Sequence, residues 1–560
     1  MSGNSTSNHS PSQSLWTART EDAVQLQVSL GDALSDAAQR WSQREALVYT
    51  CQPEVAELRW TYRELDERAT RLAAALLERG YLPGQRIAVW GPNHPHWILL
   101  EYALAKAGLI IVALNPLYKQ AELSFALNTA GVVAIFHADI VGGVELHTII
   151  DAVADSVPTL RQRYSFTSDV ETLLQEAPAA ISLPHVDPAG VLMIQYTSGT
   201  TGTPKAAQLT HAAVASIASQ SYRLWGFGNE DRVCHGFPLF HVGGSGNSTP
   251  GAMLVGATTL PLYVFKARQT LEILEKERCT GFIGVPTMVM AMLEDATFGQ
   301  RDLSALRVII IGGAPVPLRL LQQCESVLGV AVFNGYGQTE TCGVTCSTVG
   351  SDSVEHKTQT SGRALPGISV KVVDANGAIV PRGSSGELLY IGPGKMLGYA
   401  NAEPGHSGFD NDGWLRSGDL AVMDEHGYVR ITGRAKDLII RGGENLSPLE
   451  IENYLLAHPD IAEAAVIGLP DARYGEEVCA VLRASRAEHA SGEEIRAWCS
   501  ERISRWKVPR YVAFVDAMPM TPSGKIKKFV LRQTMISQFG LAVDPAPDVN
   551  QGGSGSGAIA

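Results

Sequence analysis

The 560-residue sequence has few cysteines, no excess of positive charge and no long apolar run. Its eight cysteines are scattered, so they do not form the dense framework of a small disulfide-bonded protein, and we expect a reduced, cytoplasmic protein. Cys342 and Cys346 are the closest pair, but no second pair or histidine cluster completes a zinc site. The net charge of −12 argues against general nucleic-acid binding.

The apolar runs are too short to cross a membrane. AGLIIVAL and LRVIIIGGAPV fall below the ~18 residues of a membrane span and are typical of buried parallel strands. The polar start, MSGNSTSNHSPSQS, lacks the apolar stretch of a signal peptide, and the final GGSGSGAIA has linker composition. We therefore predict a soluble globular protein with no integral membrane segment, a disordered lead-in (1–20) and a flexible tail (541–560). The sequence is compatible with a homo-oligomer and does not define the oligomeric state.

Segments whose apolar residues have helical spacing alternate with short apolar strands over most of the chain. YRELDERATRLAAALLERG has helical spacing, whereas RIAVW and LIIVAL are strand-like, and this alternation indicates an α/β layered fold. Beyond about Gly362 the segments become β-rich, with turn signals in DANG and DEHG. A further α/β unit follows GRAKD, where we place the boundary between an N-terminal domain (21–434) and a small C-terminal domain (435–540).

The segment YTSGTTGTPKAAQLTH follows the predicted strand VLMIQY and is rich in hydroxyls and glycines. It supplies unhindered backbone N–H groups, hydroxyl donors and one cation, which together can bind phosphate. Because Pro204 precedes Lys205 and Ala206 follows it, the register of a Walker phosphate-binding loop fails. Taken alone, the loop is equally compatible with a surface turn. Its candidate phosphate-binding residues are Thr197, Ser198, Gly199, Thr200, Thr201, Gly202, Thr203 and Lys205.

Five motifs occur in a fixed order: YTSGTTGTPK, NGYGQTE, GWLRSGDL, GRAKDLIIRGGENLSPLEIE and TPSGKIKK. With them, the chain from about Leu30 to Gln538 resembles the adenylate-forming superfamily of acyl-CoA synthetases, nonribosomal adenylation domains and luciferases, and most of all a stand-alone acyl-CoA synthetase. The resemblance implies a large N-terminal domain of layered α/β subdomains plus a β-rich subdomain, and a small, mobile α+β C-terminal domain. It also implies that a carboxylic acid and ATP give acyl-AMP and pyrophosphate, and that CoA then gives acyl-CoA and AMP.

The resemblance assigns the first step to particular residues. The loop from Thr197 to Lys205 is expected to wrap the β- and γ-phosphates and then pyrophosphate. Thr339 is expected to contact the α-phosphate, Glu340 to bind the Mg²⁺ that arrives with ATP, and Lys525 to bridge the attacking carboxylate and the α-phosphate. Such groups are needed because two anions must meet, at a cost of about 4 kcal/mol for each pair of unit charges ~4 Å apart at an effective dielectric near 20.

Other positions are expected to bind the nucleoside. Tyr336 offers a flat face to adenine, and Asn334 an amide to its amino group. Asp419 is the expected acceptor for both ribose hydroxyls, with Arg434 assisting. Gly312, Gly313 and Ala314 are expected to let the backbone approach the adenine or the acyl group, and Gly335 and Gly337 of NGYGQTE are also expected to bind the cofactor.

The second step is implied to follow a rotation of the C-terminal domain about a hinge at Lys436. The segment RGGEN would then line the path of the thiol, with Gly442 and Gly443 leaving room for the pantetheine arm. Glu444 is expected to bond His241, which gates the carboxylate pocket from the end of an apolar strand. The basic residues of RWKVPR suit either CoA phosphates or a solvated charged run, and these are Arg505, Lys507 and Arg510.

The predicted acyl pocket carries no basic side chain and, among acidic ones, only Glu340. Its segments are His241–Asn247, Val285, Pro286, Gly312–Ala314 and Gly335–Val344. A hydrophobic monocarboxylic acid is therefore expected, either a medium or long fatty acid or a bulky alicyclic, terpenoid or aryl acid. Free CoA is the expected acceptor because only a short tail follows Gln538. The alternatives are loading of a separate carrier protein, luciferase-like oxidation, and a catalytically silent ligand-binding scaffold.

Overall fold

The computed structural model describes residues 12–18, 23–180, 182–197, 204–314, 316–400, 402, 408–442, 444–471, 473–521 and 526–541. The chain divides into two compact units, and the division falls between Thr432 and Gly433. Among the described residues, no helix is both long enough and apolar enough to cross a bilayer. All eight cysteines are unpaired, and all but Cys51 are buried.

The first unit contains most of the strands, and the last of them crosses the division. In chain order the strands are β1 (Leu15–Thr17), β2 (Glu45–Tyr49), β3 (Leu58–Thr61), β4 (Arg86–Trp90), β5 (Ile110–Leu114), β6 (Val132–His137), β7 (Ile140–Val141), β8 (Val144–Glu145), β9 (Gln162–Ser165), β10 (Val191–Thr197), β11 (Lys205–Thr210), β12 (Arg232–His235), β13 (Thr258–Pro261), β14 (Gly281–Gly284), β15 (Val308–Gly312), β16 (Ala331–Tyr336), β17 (Cys346–Ser347), β18 (Arg363–Ala364), β19 (Ser369–Val373), β20 (Ser385–Ile391), β21 (Gly398–Tyr399), β22 (Leu415–Met423) and β23 (Val429–Arg434).

The helices of the first unit connect these strands and cover the sheets. In chain order they are α1 (Leu30–Arg40), α2 (Tyr62–Glu78), α3 (Pro95–Lys106), α4 (Gln120–Ala130), α5 (Leu146–Val153), α6 (Asp169–Gln175), α7 (His211–Leu224), α8 (Thr249–Val255), α9 (Ala267–Lys276), α10 (Pro286–Glu294), α11 (Leu318–Gln323) and α12 (Val354–Gln359). Thr210 begins α7 by accepting a hydrogen bond from the backbone N–H of Ala213, as its sequence predicts.

Within the described residues, one sheet has the strand order β21-β11-β10-β5-β4-β6-β9. The strands from β10 to β9 run parallel, and β11 and β21 add an antiparallel edge. The apolar strands β5 and β6 are buried along their whole length, as expected for parallel strands with helices on both faces. This confirms the predicted α/β layering.

A second sheet has the order β18-β17-β16-β15-β14-β12-β13-β2-β3 among the described strands. Strands β12 to β16 are parallel, and Gly312 at the end of β15 lies opposite Gly335 near the end of β16. Ligands bind preferentially at the carboxyl ends of such strands. The loops that follow β12, β15 and β16 at this edge contain most of the predicted pocket residues.

The β-rich part of the first unit is an antiparallel sheet of order β1-β19-β20-β22-β23 among the described strands. The predicted turns are present in it. The N–H of Gly377 bonds the carbonyl of Asp374, 3.0 Å away, and the N–H of Gly427 bonds that of Asp424, 3.2 Å away. The second turn connects β22, which carries Asp419, to β23, which carries Arg434.

The second unit is a small α+β domain. Its elements are β24 (Ile439–Arg441), β25 (Glu444–Leu446), α13 (Pro448–Leu456), β26 (Ile461–Asp471), β27 (Gly475–Ala484), α14 (Gly492–Ser500), β28 (Tyr511–Phe514) and α15 (Lys528–Gln538). Among them the strand order is β25-β24-β27-β26, and β28 adds to β27. A core that includes Ile451, Val466 and Val478 packs helices against this sheet.

Candidate active site

The predicted phosphate loop starts and ends at a strand pair. Thr197 at the end of β10 lies directly opposite Lys205 at the start of β11, and both residues are half-buried. The residues between them that carry most of the predicted phosphate contacts, Ser198, Gly199, Thr200, Thr201, Gly202 and Thr203, lie outside the described residues. Their role therefore stays a prediction, and the structure describes only the two ends of the loop, Thr197 and Lys205.

Lys205 lies beside Tyr399, a residue that the sequence analysis did not single out. The Lys205 Nζ atom is 5.0 Å from the centroid of the Tyr399 ring, within the range of a cation–π interaction. The Tyr399 hydroxyl donates a hydrogen bond of 2.9 Å to Oε1 of Glu340. Burial, reinforced by the neighbouring Glu340 charge, raises the pKa of Tyr399, so the hydroxyl remains a donor at neutral pH.

Glu340 belongs to a short 3₁₀ turn, Thr339–Thr341, that follows β16. The turn is held by a 3.0 Å bond from the Gln338 N–H to the Thr341 hydroxyl and by a 3.0 Å bond from the Gly343 N–H to the Gln338 carbonyl. Thr339 is buried and Glu340 is half-buried. The predicted α-phosphate and Mg²⁺ residues are thus neighbours on one turn.

The donor set at Glu340 fits a magnesium ion that arrives with a nucleotide. Among the described residues, no group of three or more acidic, histidine or cysteine side chains could enclose a metal by itself. Mg²⁺ is commonly held by one or two carboxylates together with substrate phosphates and waters. A single half-buried carboxylate next to the exit of the phosphate loop suits that mode.

Asp419 is almost fully buried, at 2% exposure, and its side chain is fixed by two donors from the NGYGQTE motif. The Tyr336 hydroxyl bonds Oδ2 of Asp419 at 2.5 Å, and the Gln338 Nε2 bonds the same oxygen at 2.8 Å. Gln338 also bonds the carbonyl of Ser417 at 2.9 Å. Tyr336 and Asp419 were predicted from the sequence as site residues, whereas Gln338, which connects the motif turn to β22, was not. Arg434, at the end of β23, is half-buried and belongs to the second unit.

Asn334 is buried in β16, where its side chain contacts a neighbouring segment of the chain. Its Nδ2 donates to the carbonyl of Thr360 at 2.9 Å, and its backbone N–H donates to the Thr348 hydroxyl at 2.8 Å. An adenine amino group is a donor, so only the Oδ1 atom of Asn334 can accept it. The predicted role of Asn334 in adenine recognition remains a prediction.

The predicted acyl-pocket segments converge at the edge of the second sheet. A Cβ atom on Gly313 would lie 3.7 Å from Cγ1 of Val285, and one on Gly343 would lie 3.4 Å from Cβ of Asn247. The Phe237 ring, which the sequence analysis missed, lies 3.5 Å from the corresponding position on Gly312 and 3.0 Å from that on Gly243. Gly313 and Ala314 are exposed.

His241 does not lie at the end of a strand, as the sequence analysis proposed. Strand β12 ends at His235, and a turn closed by the bond from the His241 N–H to the Pro238 carbonyl intervenes. His241 instead begins a π-helical turn, Val242–Ser248, and its Nδ1 accepts a 3.1 Å bond from the Gly243 N–H. Pro238 has no N–H to donate to a sheet, so a strand is not expected to continue through it to His241.

Apart from His241, the residues predicted for the second step lie in the second unit. Lys436 is exposed in the short 3₁₀ turn Ala435–Asp437, Gly442 has a φ of 61°, and Glu444 is exposed in β25. Gly443 and Lys525 lie outside the described residues. Of the basic residues proposed for CoA, Lys507 pairs with Glu450 at 2.6 Å, Arg510 pairs with Asp471 at 2.7 Å, and Arg505 is exposed.

Comparison with known proteins gives consistent matches over most of the chain. The profile of the AMP-binding enzyme family matches residues 34–400, and that of the AMP-binding enzyme C-terminal domain matches residues 450–525. The putative acyl-CoA synthetase YngI of Bacillus subtilis is 35% identical over 92% of this chain and 98% of its own length. The mitochondrial medium-chain acyl-CoA ligase ACSF2 of Danio rerio is 37% identical over 92% of this chain and 90% of its own.

A solved structure agrees with these relatives. The ATP-bound MatB from Rhodopseudomonas palustris superposes with a TM-score of 0.83 at 29% identity, over 92% of this chain and all of that one. The predicted fold class and the predicted use of ATP, Mg²⁺ and CoA are confirmed. The chain therefore belongs to the AMP-binding enzyme family of the adenylate-forming superfamily, as an AMP-forming acid–CoA ligase of the acyl-CoA synthetase type.

Proposed function

We propose that the enzyme activates a hydrophobic monocarboxylic acid of medium chain length. The observation that carries this proposal is the composition of the converging pocket segments, which present glycine, valine, phenylalanine and asparagine but no lysine or arginine. A second carboxylate or an amino group on the substrate would be buried there without a partner, at a cost of several kcal/mol. The name of the ACSF2 relative, a medium-chain acyl-CoA ligase, supports the chain length.

In the first step the carboxylate attacks the α-phosphate of ATP and displaces pyrophosphate. Lys205 and the loop before it would hold the leaving pyrophosphate, and Thr339 would donate to the α-phosphate. Asp419, held by Tyr336 and Gln338, would accept the ribose hydroxyls. Glu340 would hold Mg²⁺, which neutralises phosphate charge when it is bound with ATP.

In the second step the CoA thiol attacks the acyl-adenylate carbonyl and AMP leaves. We infer that the second unit rotates between the steps about the exposed turn at Lys436. In the first orientation it would supply Lys525 to the carboxylate and the α-phosphate, and in the second it would bring Gly442 and Glu444 to the path of the thiol. A short exposed turn between two strands, as found at Lys436, is the kind of element that absorbs a hinge motion.

The first experiment is a measurement of pyrophosphate release with ATP, Mg²⁺ and a panel of acids, with and without CoA, followed by mass detection of the thioester. The panel contains straight-chain acids from short to long, aryl and alicyclic acids, dicarboxylic acids and amino acids. We expect the highest kcat/KM for medium-chain monocarboxylic acids. Preference for a diacid or an amino acid would refute the pocket argument, and adenylate that accumulates despite CoA would indicate a carrier-protein acceptor.

The division of labour between the two orientations is tested by Lys525→Ala, with Lys527→Ala as the matched control from the same lysine cluster. Loss of one preorganised charge donor should slow adenylation by about 10²–10³-fold. Thioester formation from supplied acyl-adenylate should be unaffected, and Lys527→Ala should leave both reactions near wild type. Equal losses in the two half-reactions of Lys525→Ala would contradict domain alternation.

A further inference from the structure

Tyr399 lies between two groups of opposite charge that belong to distant parts of the chain. Lys205 lies 5.0 Å from the centroid of its ring, and Glu340 accepts a 2.9 Å bond from its hydroxyl. Among the described residues, neither Lys205 nor Glu340 takes part in an ion pair. The tyrosine therefore contacts a cation and a carboxylate that remain separate from one another.

The surrounding backbone fixes this arrangement. Tyr399 lies in β21, opposite Ala207 of β11, and is therefore beside the strand that begins at Lys205. The Met396 N–H bonds the backbone carbonyl of Glu340 at 2.9 Å. A Cβ atom on Gly408 would lie only 3.3 Å from Cε2 of Tyr399, so the chain at Gly408 packs closely on the edge of the ring. The ring is thus held on three sides by defined segments.

We propose that Tyr399 is a positioning residue that keeps the phosphate-binding lysine, Lys205, and the magnesium-binding carboxylate, Glu340, apart and correctly aimed. The proposal rests on the proposed function, which gives Lys205 and Glu340 their roles. The ring holds the ammonium group over its face, and the hydroxyl fixes one carboxylate oxygen, so that the other, Oε2, is presented to the metal.

Without Tyr399, the two opposite charges would be drawn towards a direct ion pair. Opposite unit charges attract one another strongly at such short range near a protein surface. It would compete for the groups that must bind phosphate and Mg²⁺. A tyrosine at this place solves the problem because it contacts both charged groups without neutralising either of them. Outer-shell partners of this kind commonly change metal affinity or activity by about 10–100-fold.

Two variants separate the contributions of the hydroxyl and the ring. Tyr399→Phe removes the bond to Glu340 and keeps the aromatic face for Lys205. Tyr399→Leu removes both contacts. The matched control is Tyr428→Phe, because the Tyr428 hydroxyl also donates to a carboxylate, Asp352 Oδ1 at 2.6 Å, in the same unit. Calorimetric thermal unfolding of each variant tests whether it is folded.

The primary readout is binding of a non-reactive ATP analogue, measured by calorimetry as a function of Mg²⁺ concentration. Tyr399→Phe should raise the Mg²⁺ concentration for half-maximal binding by about tenfold, without changing binding of the analogue at saturating Mg²⁺. Tyr399→Leu should show that shift and also weaken binding at saturating Mg²⁺, by about three- to tenfold, because Lys205 loses its cation–π contact. Tyr428→Phe should match wild type in both measurements.

A double mutant tests the connection to Glu340 directly. Glu340→Gln alone should raise the Mg²⁺ requirement, and adding Tyr399→Phe to it should raise the requirement less than twofold further, since the charge that Tyr399 orients is already gone. Full additivity of the two changes, or an unchanged Mg²⁺ requirement in Tyr399→Phe, would overturn the proposal. If wild type released no pyrophosphate with any acid, or if Glu340→Gln had no effect on Mg²⁺, the proposed function itself would fail instead.

Discussion

Replacing Gly337 with alanine would put a methyl group where the structure already has a carbonyl oxygen. A Cβ atom at this position would lie 1.5 Å from the oxygen of Gly343, whereas real Cβ contacts essentially never fall below 3.0 Å. The two segments must therefore separate by about 3.0 − 1.5 = 1.5 Å. Neither atom can escape by a side-chain rotation, because the oxygen belongs to the backbone.

That displacement falls on the turn that carries Thr339 and Glu340, since Gly343 closes this turn by bonding the Gln338 carbonyl. Forcing extra atoms into packed backbone commonly costs about 1–3 kcal/mol, and we expect a value near the upper end. A displacement of about 1 Å in catalytic groups can reduce a rate by about 10²-fold. Gly337→Ala should thus lower both the unfolding temperature of the first unit and the rate of adenylation.

Gly335 provides the matched control for stability, two residues away in the same motif. A Cβ atom there would first meet Cζ2 of Trp225, at an ordinary distance of 3.8 Å. In strand β16 an alanine should be neutral or stabilising by up to about 1 kcal/mol, since glycine is entropically costly in a strand. Calorimetric unfolding should rank Gly335→Ala at or above wild type and Gly337→Ala clearly below it. Equal unfolding temperatures for the two variants would refute the steric argument.

Two further changes test the nucleoside site and the acid sensitivity of the first unit. Gln338→Leu should raise the KM for ATP by about tenfold and leave the KM for the acid unchanged, because Asp419 loses a charge-assisted hydrogen bond; an equal rise in both KM values would contradict this. Burial lowers the pKa of His211 from 6.5 to about 4. Between pH 6.5 and 4, His211 therefore binds a proton in the unfolded state but not in the folded state. The free energy of unfolding consequently falls as the pH drops through this range. His211→Asn, whose side-chain oxygen can still accept the Leu30 N–H, should remove about 2 kcal/mol of the loss between pH 7.5 and 5.0 in urea unfolding; an unchanged loss would show that His211 is not the group responsible.

The regular elements were predictable from local patterns. The runs IIVAL and VIIIG are strands because parallel strands covered on both faces need continuous apolar residues, and both are buried almost throughout. Thr210 marks the start of α7 because its hydroxyl satisfies a helix N–H that would otherwise lack a partner. These signals depend only on neighbouring residues, so a single sequence contains them.

The contacts between distant segments were not predictable in this way. Tyr399 bonds Glu340 across 59 positions, and Gln338 bonds Asp419 across 81. Hydrophobic periodicity and turn chemistry say which face of an element is buried, but not which loop lies opposite another. Tyr336, Glu340 and Asp419 could be predicted because they belong to motifs that resemble the family. The roles of Gln338 and Tyr399 depend on the positions of strands β21 and β22, which the sequence alone does not provide.

The geometry of the site follows from one short turn at the end of β16. Tyr336 and Gln338 donate hydrogen bonds to Asp419, while Glu340, two residues after Gln338, accepts a hydrogen bond from the hydroxyl of Tyr399. Asp419 and Glu340, the carboxylates proposed to bind the ribose and the metal, therefore both depend on the position of this turn. A shift of this turn must disturb nucleoside binding and metal binding together. That coupling explains why a change at the half-buried Gly337 should affect adenylation as strongly as a change in the side chains that follow it on the turn.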